Sequence, residues 1–174
     1  MRVQLKSIAL AAVLTAASAV SVARAGDPAV MPSNDALRLI RLLEQEPLSP
    51  NAAKIRSDLI EWATATKDVM ITVCDVLGPI PSKEVPYGPE LLIQAMFGNG
   101  AFQLEHVQHK GDEYKAQLAG IESMLRSYER ILAADPSARI PEYDEWLRER
   151  EAGDLEAKVA PSIQRHCVEE SAQA

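Results

Sequence analysis

The chain has 174 residues, of which 25 are acidic and 18 are basic, giving a formal net charge of −7 at pH 7. Such a charge repels nucleic acid and anionic lipid, which argues against both and favours a basic surface on any protein partner. Aromatic residues make up only 5% of the chain, too few to indicate a stacking groove for sugars or bases. The length suits one domain with its own hydrophobic core.

The first 25 residues have the layout of a cleavable signal peptide. Arg2 and Lys6 form a short basic region before an uncharged, mostly aliphatic run over residues 7–23, and Ala23-Arg24-Ala25 offers a small-x-small cleavage point. A membrane span needs about 20 apolar residues, and this run is shorter. We therefore expect a periplasmic or secreted protein that is not inserted in the membrane after cleavage. Loss of three basic residues would change the net charge from −7 to about −10.

Helical periodicity begins soon after the predicted cleavage point. Residues 33–46 and 51–66 predict two amphipathic helices. Residues 69–77 are ambiguous, because their β-branched side chains favour a strand but no second strand-like run is available to pair with it. Asp68 before this run and Gly78-Pro79 after it are typical of a helix start and stop. We expect a short buried helix here, with a strand as the alternative.

Residues 78–89 predict an ordered loop, since they contain four of the eleven prolines. Long loops in compact domains are often functional. We expect Tyr87 to be exposed in this loop, close to the apolar side chains of Ile80 and Val85. These three residues form the predicted partner-binding loop.

Four more helices are predicted after the loop, over residues 90–107, 112–134, 141–151 and from residue 154 onwards. In the first of these, Gly98 and Gly100 either break the helix or let another helix pack closely. In the last, Pro161 predicts a kink or a restart. About seven helices without a convincing strand predict an all-α single domain of packed helical hairpins.

Cys74 and Cys167 are the only cysteines in the chain. In an oxidising compartment, such a pair predicts one disulfide, with two free thiols as the alternative. The bridge would tie the last helix to the predicted third helix. The domain is accordingly expected to span residues 26–167, followed by a disordered tail over residues 168–174.

Residues 127–139, SYERILAADPSAR, resemble the close of a tetratricopeptide repeat, with Tyr128, Leu132 and Pro136 at spacings which that motif uses. The resemblance covers 13 residues. The upstream helix lacks the Trp, Gly and Tyr of the motif, and no repeat of about 34 residues emerges. The repeat fold is therefore not assigned. In general layout, the predicted mature chain resembles small exported all-helical bacterial proteins of unknown function, a resemblance that implies no site.

Residues 102–115, FQLEHVQHKGDEYK, contain two of the three histidines. On a helix, either Glu105 and His109 or His106 and His109 can share a face and hold a metal ion. His166 is the remaining histidine and could supply another ligand. Histidines near a helix C-terminus also interact favourably with the helix dipole without a metal. A solvated helix end is the favoured interpretation, and metal binding through these four residues is the alternative.

Sequence signatures of nucleophilic, phosphate-binding and dinucleotide-binding sites do not occur in the chain. The acidic cluster over residues 142–151 offers carboxylate pairs for glycan hydrolysis, but mixed charges on a short helix are typical of a solvated face. Cys167 beside His166 suggests a thiol enzyme, which a disulfide would exclude. We therefore expect an exported, non-enzymatic protein without a cofactor that binds a macromolecular partner, such as a basic protein of the cell envelope. A metal-binding protein is the alternative.

Overall fold

The computed structural model describes residues 31–82 and 84–169, so the predicted signal peptide and residues 170–174 of the predicted tail lie outside the described residues. The described part of the chain contains six α-helices and no strand: α1 (Ser33–Gln45), α2 (Ala52–Ala65), α3 (Gly88–Glu105), α4 (Glu113–Ala134), α5 (Pro141–Ala152) and α6 (Leu155–Ile163). The predicted all-α class is confirmed, with six helices in place of about seven. None of these helices is long and apolar enough to cross a bilayer.

Three shorter helical turns follow α3, α4 and α6: Val107–His109, Pro136–Ala138 and Gln164–Glu169. The last is a π-helical turn that continues directly from α6. Pro161 lies inside α6, and the helix widens after Ile163 without restarting. Residues 168 and 169, which were predicted to begin a disordered tail, belong to this turn.

The predicted third helix is wrong, because residues 69–77 form neither a helix nor a strand. We call residues 66–77 the connecting segment. Its backbone is paired with side chains from two helices that lie later in the chain. The Gln103 side chain accepts a hydrogen bond from the Met70 N–H (3.0 Å) and donates one to the Met70 carbonyl (2.7 Å). Gln117 donates to the Thr72 carbonyl at 2.8 Å. The connecting segment has no partner strand, and these side chains supply the hydrogen bonds that its backbone groups need.

The centre of the fold is the pair formed by α3 and α4, which pack along their length. α3 runs unbroken through Gly98 and Gly100. Gly98 faces α4, as the alternative of a close helix contact predicts, whereas the nearest atoms at Gly100 belong to Ile71 of the connecting segment. A Cβ atom added at Gly120 would lie only 2.7 Å from the Ala95 carbonyl oxygen. The absent side chains therefore let the two backbones approach each other.

Two hydrophobic clusters lie against this central pair. A smaller cluster joins α1 and α2 to α3, and its larger buried side chains are Ile40, Leu43, Leu59, Trp62 and Phe97. A larger cluster joins α4 to α5 and α6, with Leu125, Tyr128, Tyr143, Trp146 and Ile163 among its members. Each fully buried side chain of this size stabilises the fold by about 1.5–3 kcal/mol.

Cys74 and Cys167 form the predicted disulfide, with their Cα atoms 5.6 Å apart. Because residues 69–77 are not helical, the bridge ties the connecting segment, and not a helix, to the π-helical turn. The Tyr143 hydroxyl adds a second attachment by donating to the Leu77 carbonyl at 2.6 Å. The segment is thus held at both its middle and its end.

Candidate functional site

An open cavity of about 650 Å³ lies where α1, α3 and α4 meet, with α6 at its edge. We call it the α1–α4 cleft. Its apolar lining comes from the central helix pair and includes Phe102 and Leu118, both half-exposed. Most of the remaining lining side chains are charged. The cleft therefore combines an apolar patch with charged walls, the composition of many ligand pockets.

Glu44 is the buried charge of the cleft, and its residue is only 7% exposed. Its Oε1 atom accepts hydrogen bonds from Arg41 Nη1 (2.6 Å), Ser123 Oγ (2.6 Å) and Arg126 Nη2 (3.0 Å). Its Oε2 atom accepts from Arg126 Nε at 3.2 Å. Gln94 completes the network by donating to Ser123 Oγ at 3.0 Å. One carboxylate from α1 thus holds arginines from two helices in fixed positions.

The pKa of Glu44 reflects this network. Burial by itself would raise the pKa, but hydrogen bonds from Arg126 and Ser123, together with the charges of Arg126 and Arg41, outweigh it. The pKa of Glu44 therefore lies below its ordinary value, and the carboxylate is ionised at neutral pH.

Three more carboxylates line the cleft nearer its mouth. Glu105 accepts from Arg41 Nη2 at 2.6 Å, and Glu122 lies 3.7 Å from Arg126 Nη1, which is beyond hydrogen-bond distance. Glu156 accepts from the neutral Tyr114 hydroxyl at 3.1 Å. The side chains of Glu105 and Glu122 are 34% and 45% exposed, and Glu156 is an exposed residue. They are the acidic groups that an incoming ligand would meet.

The C-terminal end of α3 supplies the aromatic part of the lining. Phe102 and His106 are one helical turn apart, and their ring centroids are 4.7 Å apart with a tilted arrangement. His106 is the C-cap residue that directly follows α3. Phe97, earlier on α3, is buried in the smaller hydrophobic cluster, whereas Phe102 is half-exposed at the cleft.

The predicted metal ligands occupy separate surroundings. Glu105 forms an ion pair with Arg41, and His106 contacts Phe102. Because α3 ends at Glu105, His109 lies in the following 3-10 turn and does not share a helix face with His106. His166 lies in the π-helical turn beside Cys167. Among the described residues, no three His, Cys, Asp or Glu side chains are grouped so that they could hold a metal ion.

The apolar side chains of the predicted partner-binding loop face the core. Ile80 is 3% exposed and belongs to the larger hydrophobic cluster, so it has no free surface for a partner. Val85 and Tyr87 are half-buried and pack against the same cluster. The Tyr87 hydroxyl donates to Asp135 Oδ2 at 3.0 Å, a bond that raises the pKa of Tyr87. The expected exposed position of Tyr87 is corrected accordingly.

The residues considered for catalysis also have structural partners. Cys167 is in a disulfide, so the thiol-enzyme hypothesis is wrong. On α5, Asp144 accepts from the Tyr128 hydroxyl and pairs with Arg139. Glu145 pairs with Lys158 of α6. Two of the five carboxylates of this helix therefore take part in ion pairs within the fold.

Sequence reasoning missed Arg41, Glu44 and Arg126, which form the base of the cleft. A signal was present in α1, because Glu44 follows Ile40 by four residues and therefore lies on the buried face of the helix. A charge on an apolar helix face needs a partner. Arg41 lies on the same helix, but Arg126 comes from α4, which no local pattern in α1 could identify.

No protein-family model matches the chain, and no curated protein or solved structure shows significant similarity to it. The resemblance to small exported helical proteins of bacteria stays a prediction. Functional inference accordingly starts from the α1–α4 cleft.

Proposed function

We propose that this protein is an exported, non-enzymatic protein that binds a macromolecular partner with a basic surface, and that the α1–α4 cleft is its binding site. The observation that carries the proposal is the cleft itself, an open cavity of about 650 Å³ in a protein of net charge −7. Its position at the surface makes it accessible to a side chain or loop of another protein.

The electrostatics of the protein support a basic partner. A negative net charge attracts basic proteins and increases the rate of encounter with them. The half-exposed carboxylates at the mouth of the cleft add a local attraction at the point of contact. The buried network around Glu44 keeps the cleft walls in place before binding, which lowers the entropic cost of association.

Two features support export. The first 25 residues have the layout of a signal peptide. The Cys74–Cys167 disulfide is a bond that persists in oxidising compartments and is rare in the cytosol. Both features agree with a periplasmic or secreted location.

Site-specific photo-crosslinking in cells tests the binding site. A photoreactive amino acid at Leu118 lies in the cleft, and the same amino acid at exposed Ala53 of α2 is the matched control. We expect a covalent adduct with a basic protein from position 118 only, and a weaker adduct when Glu122 and Glu156 are replaced by Gln. No adduct at position 118, or equal adducts at both positions, would overturn the proposal.

Cell fractionation with N-terminal sequencing tests export. We expect the protein outside the cytoplasm with Gly26 as its first residue. A cytoplasmic protein that retains its first 25 residues would contradict this part of the proposal.

A further inference from the structure

We infer that the α1–α4 cleft accepts the guanidinium group of an arginine side chain on its partner, because acidic side chains outnumber basic ones around an aromatic patch there. This inference rests on the proposed function and names the group that enters the cleft.

Two carboxylates of the cleft already balance the charges of its two arginines. Arg41 and Arg126 both contact Glu44, and Arg126 does so with two nitrogen atoms. Lys115 is paired with Asp112 at 2.8 Å. These three basic side chains of the lining therefore all form ion pairs with carboxylates of the protein. These ion pairs leave little positive charge to attract an anionic ligand.

The carboxylates at the mouth of the cleft are less fully neutralised. Glu156 has a neutral hydroxyl as its hydrogen-bond donor. Glu122 is 3.7 Å from the nearest nitrogen of Arg126, whose other contacts go to Glu44. A cation placed between these side chains would gain charge-assisted hydrogen bonds that the free protein does not make in full.

The aromatic lining favours a guanidinium over an ammonium group. Phe102 offers a ring at the cleft, and the guanidinium plane stacks on aromatic faces more readily than the ammonium of lysine. Leu118 offers an apolar surface for the methylene stem, which Arg keeps in contact with apolar groups while its head remains solvated. A planar guanidinium can also meet a carboxylate with two parallel hydrogen bonds, which an ammonium group cannot.

Nuclear magnetic resonance titration of the purified protein with three tripeptide amides tests the inference. The probes are Gly-Arg-Gly amide, Gly-Lys-Gly amide and the citrulline analogue, which matches arginine in shape but carries no charge. We expect Gly-Arg-Gly amide to shift the signals of Phe102, Leu118 and Glu122. It should bind several-fold more tightly than the lysine peptide and should outcompete the citrulline peptide. Equal binding of the three peptides, or shifts outside the cleft only, would overturn the inference.

Charge variants make the test specific. Glu122→Gln and Glu156→Gln, made separately, are each expected to weaken the binding of Gly-Arg-Gly amide by about tenfold, because each variant loses one charge-assisted hydrogen bond to the peptide. Glu61→Gln, on the exposed surface of α2, is the matched control and should change nothing. Since both cleft carboxylates are near the surface, the variants should fold, and an unchanged amide spectrum outside the cleft verifies it. Unchanged affinity in both variants would contradict the inference.

The two proposals fail in different ways. If Gly-Arg-Gly amide binds in the cleft but Leu118 crosslinks to no protein, the proposed macromolecular partner is wrong and the guanidinium site stands. If Leu118 crosslinks to a protein but the arginine peptide does not shift cleft signals, the partner stands and the guanidinium assignment is wrong.

Discussion

Gly98 of α3 lies so close to Ser123 of α4 that a Cβ atom at Gly98 would be 2.3 Å from the Ser123 Cβ. The Ala119 carbonyl oxygen would lie 3.1 Å from the same added atom. Ser123 is also the hydroxyl that donates to Glu44. The closest approach of the two central helices and the buried network of the cleft therefore share one residue.

Gly98→Ala should destabilise the protein by about 1–3 kcal/mol, because the neighbouring atoms are backbone and Cβ atoms that cannot move aside cheaply. Gly100→Ala is the matched control on the same helix, since the nearest atom there is the flexible end of Ile71 at 3.3 Å. Urea unfolding of both variants measures the effect. If Gly98→Ala were as stable as the control, α3 and α4 could move apart without loss of stability, which would contradict the prediction.

Glu44→Gln should lower the free energy of unfolding at pH 7 by about 2 kcal/mol, because two arginines lose the charge of a shared buried partner. Glu46→Gln, a neighbouring exposed glutamate, is the control and should leave stability nearly unchanged. Urea unfolding at constant salt measures both variants.

The contribution of Glu44 to the free energy of unfolding should also depend on pH, in a defined direction. The pKa of Glu44 is lowered in the folded state, so its stabilisation is fully present above the unfolded value of about 4.3 and is lost as pH falls through the folded pKa. The difference in the free energy of unfolding between wild type and Glu44→Gln should therefore shrink below about pH 4. A difference that grows in acid would contradict the lowered pKa.

Gln103→Ala should loosen the connecting segment, because both backbone groups of Met70 lose their partners. The expected loss of stability is about 2 kcal/mol, and the Met70 amide should exchange with solvent faster. Gln108→Ala, in the exposed turn after α3, is the control. Hydrogen exchange with residue resolution measures the effect, and unchanged protection of Met70 would show that other contacts hold the segment.

Replacing Cys74 and Cys167 together by Ser should destabilise the protein by about 2–5 kcal/mol, since the bridge joins residues 93 positions apart and restricts the unfolded chain. Urea unfolding of the double variant, compared with the wild type before and after reduction, measures the effect. Reduced wild type and the double variant should agree. Thiol labelling of unreduced, denatured wild type would show that the bridge does not form.

The helices could be predicted because their information is local. Residues 33–46 were predicted as a helix and α1 spans Ser33–Gln45; residues 112–134 were predicted and α4 spans Glu113–Ala134. In both cases the apolar residues recur at helical spacing, and the amphipathic pattern needs no knowledge of the partner helix. The start of α4 is also set locally, because the Asp112 side chain accepts from the Lys115 N–H at 3.1 Å.

The connecting segment and the cleft could not be predicted in the same way. Residues 69–77 were assigned to a helix because an isolated strand leaves backbone groups unpaired, and the pairing by Gln103 and Gln117 depends on α3 and α4 being in place. Likewise, the metal hypothesis started from Glu105, His106 and His109, which are close in sequence, and added His166 as the remaining histidine. In the cleft, by contrast, Glu44 pairs with Arg126, which lies 82 positions further along the chain.

The positions of the six described helices and the all-α class were thus determined by the order of residues along the chain, since helical periodicity is local. The pairing of the cysteines followed from their number, because two cysteines allow only one bridge. The course of the connecting segment, the inward orientation of Ile80 and the existence of the α1–α4 cleft were decided only by tertiary packing. Buried polar groups must find partners wherever the fold places them, and for Glu44 those partners include Ser123 and Arg126 of α4, about 80 residues away.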